Sequence, residues 1–582
     1  MIEKEWVIHT IDRAEQMVLA KELSISPITA SVLLARGVAT KDQAKKWLSS
    51  GVEFEHDPFL LPDMGVAVDR LQKAVTDGER ICFYGDYDVD GIAATSLYLS
   101  FFRSVGAEAM AYIPHRIREG YGLNQDALHR LREAGVKLLV TSDCGTTAHR
   151  EVEAGNRLGL DIIITDHHQT DADLPRALAL LNPHRSDSGY PFTGLCSGGL
   201  AYRVVQAYVS RYGARGREPN ALLDLVALAT VADVVPLQDE NRVYVREGLR
   251  LITRGDRPGV RALKLAAGVE QECTTGTLAF RLAPRINAAG RLAHAEAGVL
   301  LLMTESDAEA RDLAEQLERL NRERQRIEEA TTAEALAAIG GEDVPAALVL
   351  WTRHWHMGVV GIVAARLVEK YHRPAVMVAV DDQGIGKGSA RTVPGFDLYA
   401  ALAQCRDLLE GFGGHPSAAG LTVRESRLPE LRERLAQIAA GWSGGRPQAP
   451  VLHVDAEVDL TDVSFRVVRE LDMLHPHGAG NPEPTLAVRG LVVLSARVVG
   501  NGHLKLTVRH GNSLPFDGIG FRLGPLADRG LTGDRRMDLA FVPELNRWNG
   551  RERVQLRIRD LRPSQDQYAV KCHTKQSPQS IS

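Results

Sequence analysis

Two hydrophobic rhythms alternate along the chain. Short apolar runs of four or five residues read as strands, and longer stretches with apolar residues three or four apart read as helices. Ile81 to Tyr84, Lys137 to Thr141, Ile162 to Thr165 and Leu178 to Leu181 form a first series of strands. Helical stretches such as Gly91 to Phe102 and Gln125 to Ala134 separate them. Strands alternating with helices predict a parallel, doubly wound sheet. Ahead of it, Ser26 suits a helix N-cap and Pro27 the first helical position, and Lys41 to Ser49 gives another short helix.

Ser306 to Ile339 reads as one long helix that opens on a Ser306/Glu309 capping box and stops at Gly340-Gly341. Leu313, Leu317, Leu320 and Ile327 mark its apolar stripe, and a helix connecting two domains is preferred to a coiled coil. A second β/α unit follows, with strands Ala347 to Trp351 and Pro374 to Val380 and a helix around Val360 to Lys370. Gly441 to Pro447 reads as a linker. Beyond it, alternating strands such as Leu504 to Arg509 and Val554 to Ile558 predict an all-β module. The expected organisation is a helical region (1–65), an α/β domain (66–240), a helical region with the connecting helix (241–340), a second α/β domain (341–440), a β module (450–565) and a flexible tail (566–582).

Composition narrows the classes. The 582 residues carry 69 Lys+Arg against 74 Asp+Glu, a net charge of -5, so a wholly basic coat is excluded and any nucleic-acid contact needs a local patch. Residues 486–562 supply one, with 14 Lys/Arg against 7 Asp/Glu. The six cysteines are scattered with no C-x-x-C pair, which disfavours a zinc knuckle or disulfide framework and fits reduced thiols in a cytoplasmic protein. No signal peptide and no apolar run of the ~20 residues needed to cross a bilayer are visible, so no membrane partner is expected.

The strongest chemical signal is Gly85-Asp86-Tyr87-Asp88-Val89-Asp90-Gly91, three alternating carboxylates at the carboxyl end of a strand. Ligands bind at that end of open α/β sheets. Crowded carboxylates repel unless cations neutralise them, and oxygen-rich clusters suit Mg²⁺ or Mn²⁺. The alternative readings are a calcium loop or a merely polar turn; an EF-hand needs a longer ligand pattern, and a helix begins here where its loop would continue. The second strand runs into Asp143 and the third into Asp166-His167-His168. Asp233 lies in an apolar stretch, where either a metal or a buried arginine would satisfy it. Five or more carboxylates and two histidines suffice for two divalent cations, the arrangement that cleaves phosphoesters. No P-loop and no G-x-S-x-G elbow is present.

The segments Gly85 to Gly91, Thr141 to Gly145, Thr165 to His168 and Ala229 to Leu237 resemble the four motifs of the DHH phosphoesterase superfamily. The resemblance implies Asp88, Asp90, Asp143, His167 and Asp233 as metal ligands, with Asp86 as a further acidic member. It implies catalytic roles for Asp166 and for His168, the latter as acid or electrostatic stabiliser at the scissile phosphate. Some members carry a histidine near Tyr84, which leaves the ligand set of one metal open, and a glycine is usual at Ser197.

Three polar, Gly-rich clusters follow at His354 to Gly361, Gly386 to Arg391 and Gly413 to Gly420, read here as turns that bind an anion. They resemble the DHH-associated substrate-binding domain, with Gly413-Gly414-His415 as its hallmark. Pro284 to Leu292, Tyr112 to Arg116 and the domain order resemble RecJ exonucleases, and the basic β module resembles an OB-fold. The implied architecture is two α/β lobes with parallel-rich sheets joined by a long helix, plus a C-terminal β-barrel. The implied activity is 5′ to 3′ exonucleolytic hydrolysis of single-stranded DNA to nucleoside 5′-monophosphates, with two Mn²⁺ or Mg²⁺ per site, in repair and recombination. Arg116, Ser389 and Arg391 would hold the terminal phosphate, Arg285 and Arg291 the strand behind it, and His415 the phosphate near the metals. Trp548 and Phe521 are candidates for base stacking, with core the preferred reading of Phe521. A single-strand-binding protein and a RecQ-like helicase are partners the family implies, and a monomer is expected. The competing readings are a hydrolase of oligoribonucleotides or cyclic dinucleotides, disfavoured by the extra β module, and a non-catalytic replication scaffold, disfavoured by the intact acidic motifs.

Overall fold

The computed structural model describes residues 4–48, 55–213, 216–341, 343–444, 449–533, 535–548 and 550–564. The chain divides into two compact units, one of residues 51–448 with 478–481, the other of residues 1–50, 449–477 and 482–582. Strand β1 (Glu5–Ile8) belongs to the latter.

The larger unit opens with β2 (Arg80–Gly85), β3 (Ala109–Tyr112), β4 (Val136–Ser142), β5 (Asp161–Thr165) and β6 (Ala179–Leu181). All pair in parallel, in the order β3-β2-β4-β5-β6. Ile81–Gly85 and Leu138–Ser142 are buried throughout, as strands covered on both faces must be. Helix Val89–Ser104, buried from Val89 to Phe102, covers one face, where the rings of Phe83 and Tyr98 stack 4.9 Å apart. Leu128, Leu131 and Val152, from two amphipathic helices, cover the other with Cys82, Leu139 and Ile162. The chain steps from β2 outward to β3, then returns to place β4 on the opposite side of β2. The carboxyl ends of β2 and β4 therefore flank the switch point, where a crevice opens.

The long helix is Asp307–Ile339, 33 residues and thus about 50 Å. Its buried stripe differs from the leucine pattern read from the sequence. It runs Ala310, Ala314, Leu317, Asn321, Arg324, Glu328, Thr331, Ala335, alternating steps of four and three. Ala310, Ala314 and Leu317 join the core of the first lobe, and Ala335 joins a core of the second. Small and polar residues hold the middle, where Glu328 accepts from Arg324 and pairs with Arg366 at 2.5 Å.

The second lobe has β7 (Leu348–Thr352), β8 (Ala375–Val380), β9 (Ile385–Arg391), β10 (Leu409–His415) and β11 (Ala418–Arg424), in the order β10-β11-β9-β8-β7. Parallel pairing is confined to β7–β8, and the rest is antiparallel. Side chains alternate between two cores: Val376 and Val378 face one, Ala375 and Met377 the other. The cluster Gly386 to Arg391, read as a turn, is strand β9, and Gly413 to Gly420 is the tip of the β10–β11 hairpin. Glycine serves packing there, since a Cβ on Gly386 would lie 2.6 Å from Val378 Cγ1. Gly441 to Ser443, read as linker, continue helix Leu428–Ser443, and residues 445–447 lie outside the described residues.

The other unit holds β12 (Val451–Val454), β13 (Ala456–Glu457), β14 (Leu486–Val499), β15 (His503–Arg509), β16 (Phe516–Gly520), β17 (Arg536–Trp548) and β18 (Arg551–Pro563). The last six form a sheet ordered β13-β14-β15-β16-β18-β17, and a further β14–β17 pairing closes it into a barrel. β1 pairs in parallel with β12, and helices Arg13–Leu23 and Pro27–Ala35 share one core with the barrel, Leu19, Val32 and Leu33 packing with Leu504, Leu506 and Phe541. Glu470 accepts from Ser26 N and Thr29 Oγ1 at 2.7 and 2.8 Å, so helix Phe465–Asp472 caps the helix begun at Pro27. No single helix among the described residues is long and apolar enough to cross a membrane. The expected tail, 566–582, lies outside the described residues.

Candidate active site

Asp86, Asp143 and Asp166 each stand one residue beyond a strand, and each extends the sheet by one bond. Asp86 N donates to Ser142 O, Asp143 N to Thr165 O and Asp166 N to Leu181 O, all at 3.1 Å. Asp88 caps the helix Val89–Ser104, accepting from Asp90 N and Gly91 N at 2.9 and 3.3 Å. Gly91 is required there because a Cβ would lie 2.4 Å from Asp86 N. Asp90 is buried, and its two oxygens accept from Ser197 N and Gly198 N at 2.8 Å each, the amino end of helix Ser197–Tyr212. Asp143 adopts a left-handed φ of 68°, the backbone strain often found where a functional side chain must be aimed.

These residues converge. His167 Nε2 lies 3.1 Å from Asp143 Oδ1, 3.5 Å from Asp233 Oδ2 and 3.7 Å from Asp90 Oδ2. Asp233 ends helix Leu223–Ala232; its ion-pair neighbour among the described residues is this histidine, not an arginine. Three donor sets have their atoms within 4.8 Å of one another: Asp86/Asp88/Asp143, Asp90/His167/Asp233 and Asp143/His167/His168. Burial and neighbouring carboxylates push Asp86 and Asp143 well above the usual range, and they push Asp233 up to about 8. Asp86 Oδ1 is buried without a hydrogen-bond donor. Repelling carboxylates with an orphaned oxygen fit hard divalent cations.

Asp166 belongs to none of these donor sets and organises the loop. It accepts from Thr146 N, His167 N and His168 N, and from His168 Nδ1 at 2.7 Å. Burial opposes both charges, but the pairing prevails: Asp166 falls to about 2 and His168 rises to about 9. His168 is therefore held protonated, with Nδ1 committed to Asp166. Tyr84, where some relatives carry histidine, lies in the core behind the site and donates to Gly122 O at 2.9 Å. Ser197 donates to Asp143 Oδ1 at 3.3 Å.

A positive pocket of about 620 Å³ lies beside the acids, lined by Tyr87, Arg116, Ser389 and Arg391 and by the glycines of the β10–β11 hairpin. Arg116 sits 4.7 Å over the Tyr87 ring. Arg391 donates to Ser389 Oγ at 3.0 Å, and Arg291 to Gly358 O at 2.9 Å. Burial, then repulsion by Arg116, Arg324 and Arg391, lowers Arg291 to about 10. Arginines that repel one another in a buried setting call for an anion. His415 brings its ring 6.0 Å from that of His168, nearly parallel, so the hairpin tip reaches the Asp166-His167-His168 segment.

Arg285 is not brought to this cluster. It pairs with Glu318 on the long helix at 2.7 Å, and its other charged neighbours are Arg281 and Arg322. Six residues along helix Ala283–Leu292 set it about 120° from Arg291. In the barrel, Phe521 is exposed rather than core, edge-on to His503. Trp548 ends β17, and its side chain lies outside the described residues. Asn182 escaped the sequence reading. It follows β6 as Asp86, Asp143 and Asp166 follow their strands, and that position was the available signal.

Comparison with known proteins agrees with this fold. Residues 80–230 match the DHH family N-terminal domain, 345–441 the DHHA1 domain and 454–560 the RecJ OB domain. The single-stranded-DNA-specific exonuclease RecJ of Bacillus subtilis (strain 168) is 38% identical over 565 residues, 96% of this chain and 71% of that protein. Its counterpart in Dickeya dadantii (strain 3937) is 35% identical over 93% of this chain and 96% of its own length. The crystal structure of RecJ from Thermus thermophilus in complex with Mn²⁺ superposes with a TM-score of 0.83 at 31% identity, covering 96% of this chain and 79% of that one. The Mg²⁺ complex gives 0.78 at 30% identity, covering 96% and 78%.

Proposed function

The chain belongs to the RecJ family of single-stranded-DNA-specific exonucleases, and on that premise we propose that it digests single-stranded DNA from the 5′ end, releasing nucleoside 5′-monophosphates. The observation that carries the reading is the adjacency of two like-charged clusters, one acidic and one basic, bridged by the His168–His415 pair. A phosphodiester bound there meets cations on one side and arginines on the other.

Asp86, Asp88, Asp90, Asp143, His167 and Asp233 would hold two Mn²⁺ or Mg²⁺ ions. Bound there, such ions neutralise the acids, acidify water into a nucleophile and stabilise the leaving oxygen. Asp166 fixes the ring of His168 through Nδ1 and keeps it cationic, so that Nε2 offers a proton or a charge to the phosphate. His415 adds a second imidazole against the same anion. Arg116, Ser389 and Arg391 grip the terminal phosphate, and Arg291 joins them rather than contacting the strand farther back. Arg285 instead ties helix Ala283–Leu292 to the long helix. The barrel, with its basic excess and exposed Phe521, holds single-stranded DNA in a salt-sensitive manner. A cytoplasmic monomer acting in repair and recombination, alongside a single-strand-binding protein and a RecQ-like helicase, is the setting that goes with this activity.

The test is a ~30-nucleotide single strand labelled at either end, incubated with Mn²⁺ and either the wild type or Asp143→Ala. Stepwise mononucleotide release from the 5′ end, lost in the variant, is expected. Release from the 3′ end, or an active variant, would overturn the reading.

A further inference from the structure

The acids at the ends of β2, β4 and β5 have a counterpart that carries no charge. Asn182 follows β6 and is fully buried. Its Oδ1 accepts from His184 N at 2.8 Å, an ordinary local turn. Its amide does something a turn does not require. Nδ2 donates to His168 O at 2.8 Å and to Thr146 Oγ1 at 3.1 Å, residues 14 and 36 positions away. Thr146, itself buried, bonds the Asp166 carboxylate through its N–H at 3.0 Å. Asp166 in turn holds His168 Nδ1 and N. The bonds close a ring, Asn182 to Thr146 to Asp166 to His168 and back to Asn182, drawn from the ends of three neighbouring strands.

The ring grips His168 at both ends, the side chain by Asp166 and the backbone carbonyl by Asn182. A rigid donor aimed in advance is what makes a polar group useful against charge that develops during reaction. Both amide protons of Asn182 are used; the bond to Thr146 is buried and the bond to His168 half-buried, and Asn182 itself is fully buried, so losing its amide leaves partners without a donor. Asn182, Thr146 and Asp166 belong to none of the metal-donor sets, and the metal-facing carboxylates do not touch Asn182 among the described bonds.

Resting on the exonuclease reading, we infer that Asn182 is a positioning residue for His168, setting turnover rather than substrate or metal binding. Outer partners of this kind are worth roughly 10- to 100-fold when removed. The experiment compares wild type, Asn182→Ala, Asn182→Ser, Thr146→Val and the Asn182→Ser/Thr146→Val double variant on 5′-phosphorylated single strands. Asn182→Ser keeps an oxygen for the His184 N–H while withdrawing the reach to His168, so folding is preserved where Asn182→Ala fails to fold. Thermal unfolding and a calorimetric Mn²⁺ titration accompany the kinetics. The expected result for Asn182→Ser is a kcat lowered about 10- to 100-fold, with KM and Mn²⁺ affinity within about threefold of wild type. The double variant should be no slower than the slower single variant, because both substitutions open the same ring. An Asn182→Ser enzyme with wild-type kcat overturns this inference alone. So does one whose Mn²⁺ affinity falls together with kcat, since that marks general support of the loop. A wild type that releases no nucleotide overturns the exonuclease reading and this inference with it.

Discussion

The two lobes of the larger unit solve opposite electrostatic problems with opposite architectures. In the first, the working groups stand just beyond the ends of parallel strands, buried and negative. In the second, they lie along antiparallel β9 and at a hairpin tip, more open and positive. A parallel sheet offers adjacent chain ends in one row, so it can pack ligands for small ions. An antiparallel hairpin with little side-chain bulk offers a shallow face that a phosphate and its sugar can approach. Each cluster is strained by its own like charges, and each is relieved by what the other half of the reaction brings.

The contrast can be broken most severely from the acidic side. Asp143→Ala should lower kcat by about a thousandfold or more, on the scale of losing a central catalytic group, and should abolish calorimetric Mn²⁺ binding. On the basic side, Arg391→Ala removes charge-assisted bonds worth about 1.5–3 kcal/mol. We expect kcat/KM to fall about 10- to 100-fold on 5′-phosphorylated strands, with a much smaller fall on 5′-hydroxyl strands. Comparing the two substrates checks that the loss belongs to the phosphate.

A pH experiment sharpens the comparison without substrate. Asp233 has a folded pKa of about 8 against an ordinary 3.8. The folded, metal-free protein therefore holds a proton that the unfolded chain has released. Stability from this group is fully present below about pH 4 and is lost as pH rises through about 8. In EDTA the melting temperature should fall between about pH 5 and pH 8 by a few degrees. Mn²⁺ or Asp233→Asn should flatten that fall. The smallest effect is expected in the barrel, where Phe521→Ala should weaken binding of a ~20-mer by several-fold up to about tenfold, the lower range for loss of one stacked base. Turnover of a dinucleotide should be unchanged.

Legibility in the sequence followed chain separation and residue type. Asp86, Asp143 and Asp166 with its two histidines could be read because a carboxylate just past a strand, unremarkable once, repeats in adjacent β/α units. Asn182 occupies the same place and was passed over because an amide carries no charge. Arg391 and Ser389 were found as chemistry but placed on a turn, because Gly384, Gly386 and Gly388 in close succession look like loop, whereas the last two make room for side chains across the sheet. The N-terminal helices gave no hint of their partner. The bond from Ser26 N to Glu470 spans 444 positions, and no local pattern encodes such a pairing. The long helix misled for a related reason. Its leucines are easy to see, while its buried stripe of alanine, asparagine, arginine and glutamate has the right spacing and the wrong appearance.

The rungs that carry Asp86, Asp143 and Asp166 have a metric consequence. Because each aspartate N–H bonds the next strand over, the distance between their backbones is the repeat of the sheet itself, about 4.8 Å. The gauge of the ion-binding site is thus written in peptide hydrogen bonds rather than in side-chain packing. Core substitutions beneath it should leave that gauge intact. A single residue inserted near the end of β4 would slip one rung and put Asp143 out of line with both neighbours, however well the rest of the protein folded.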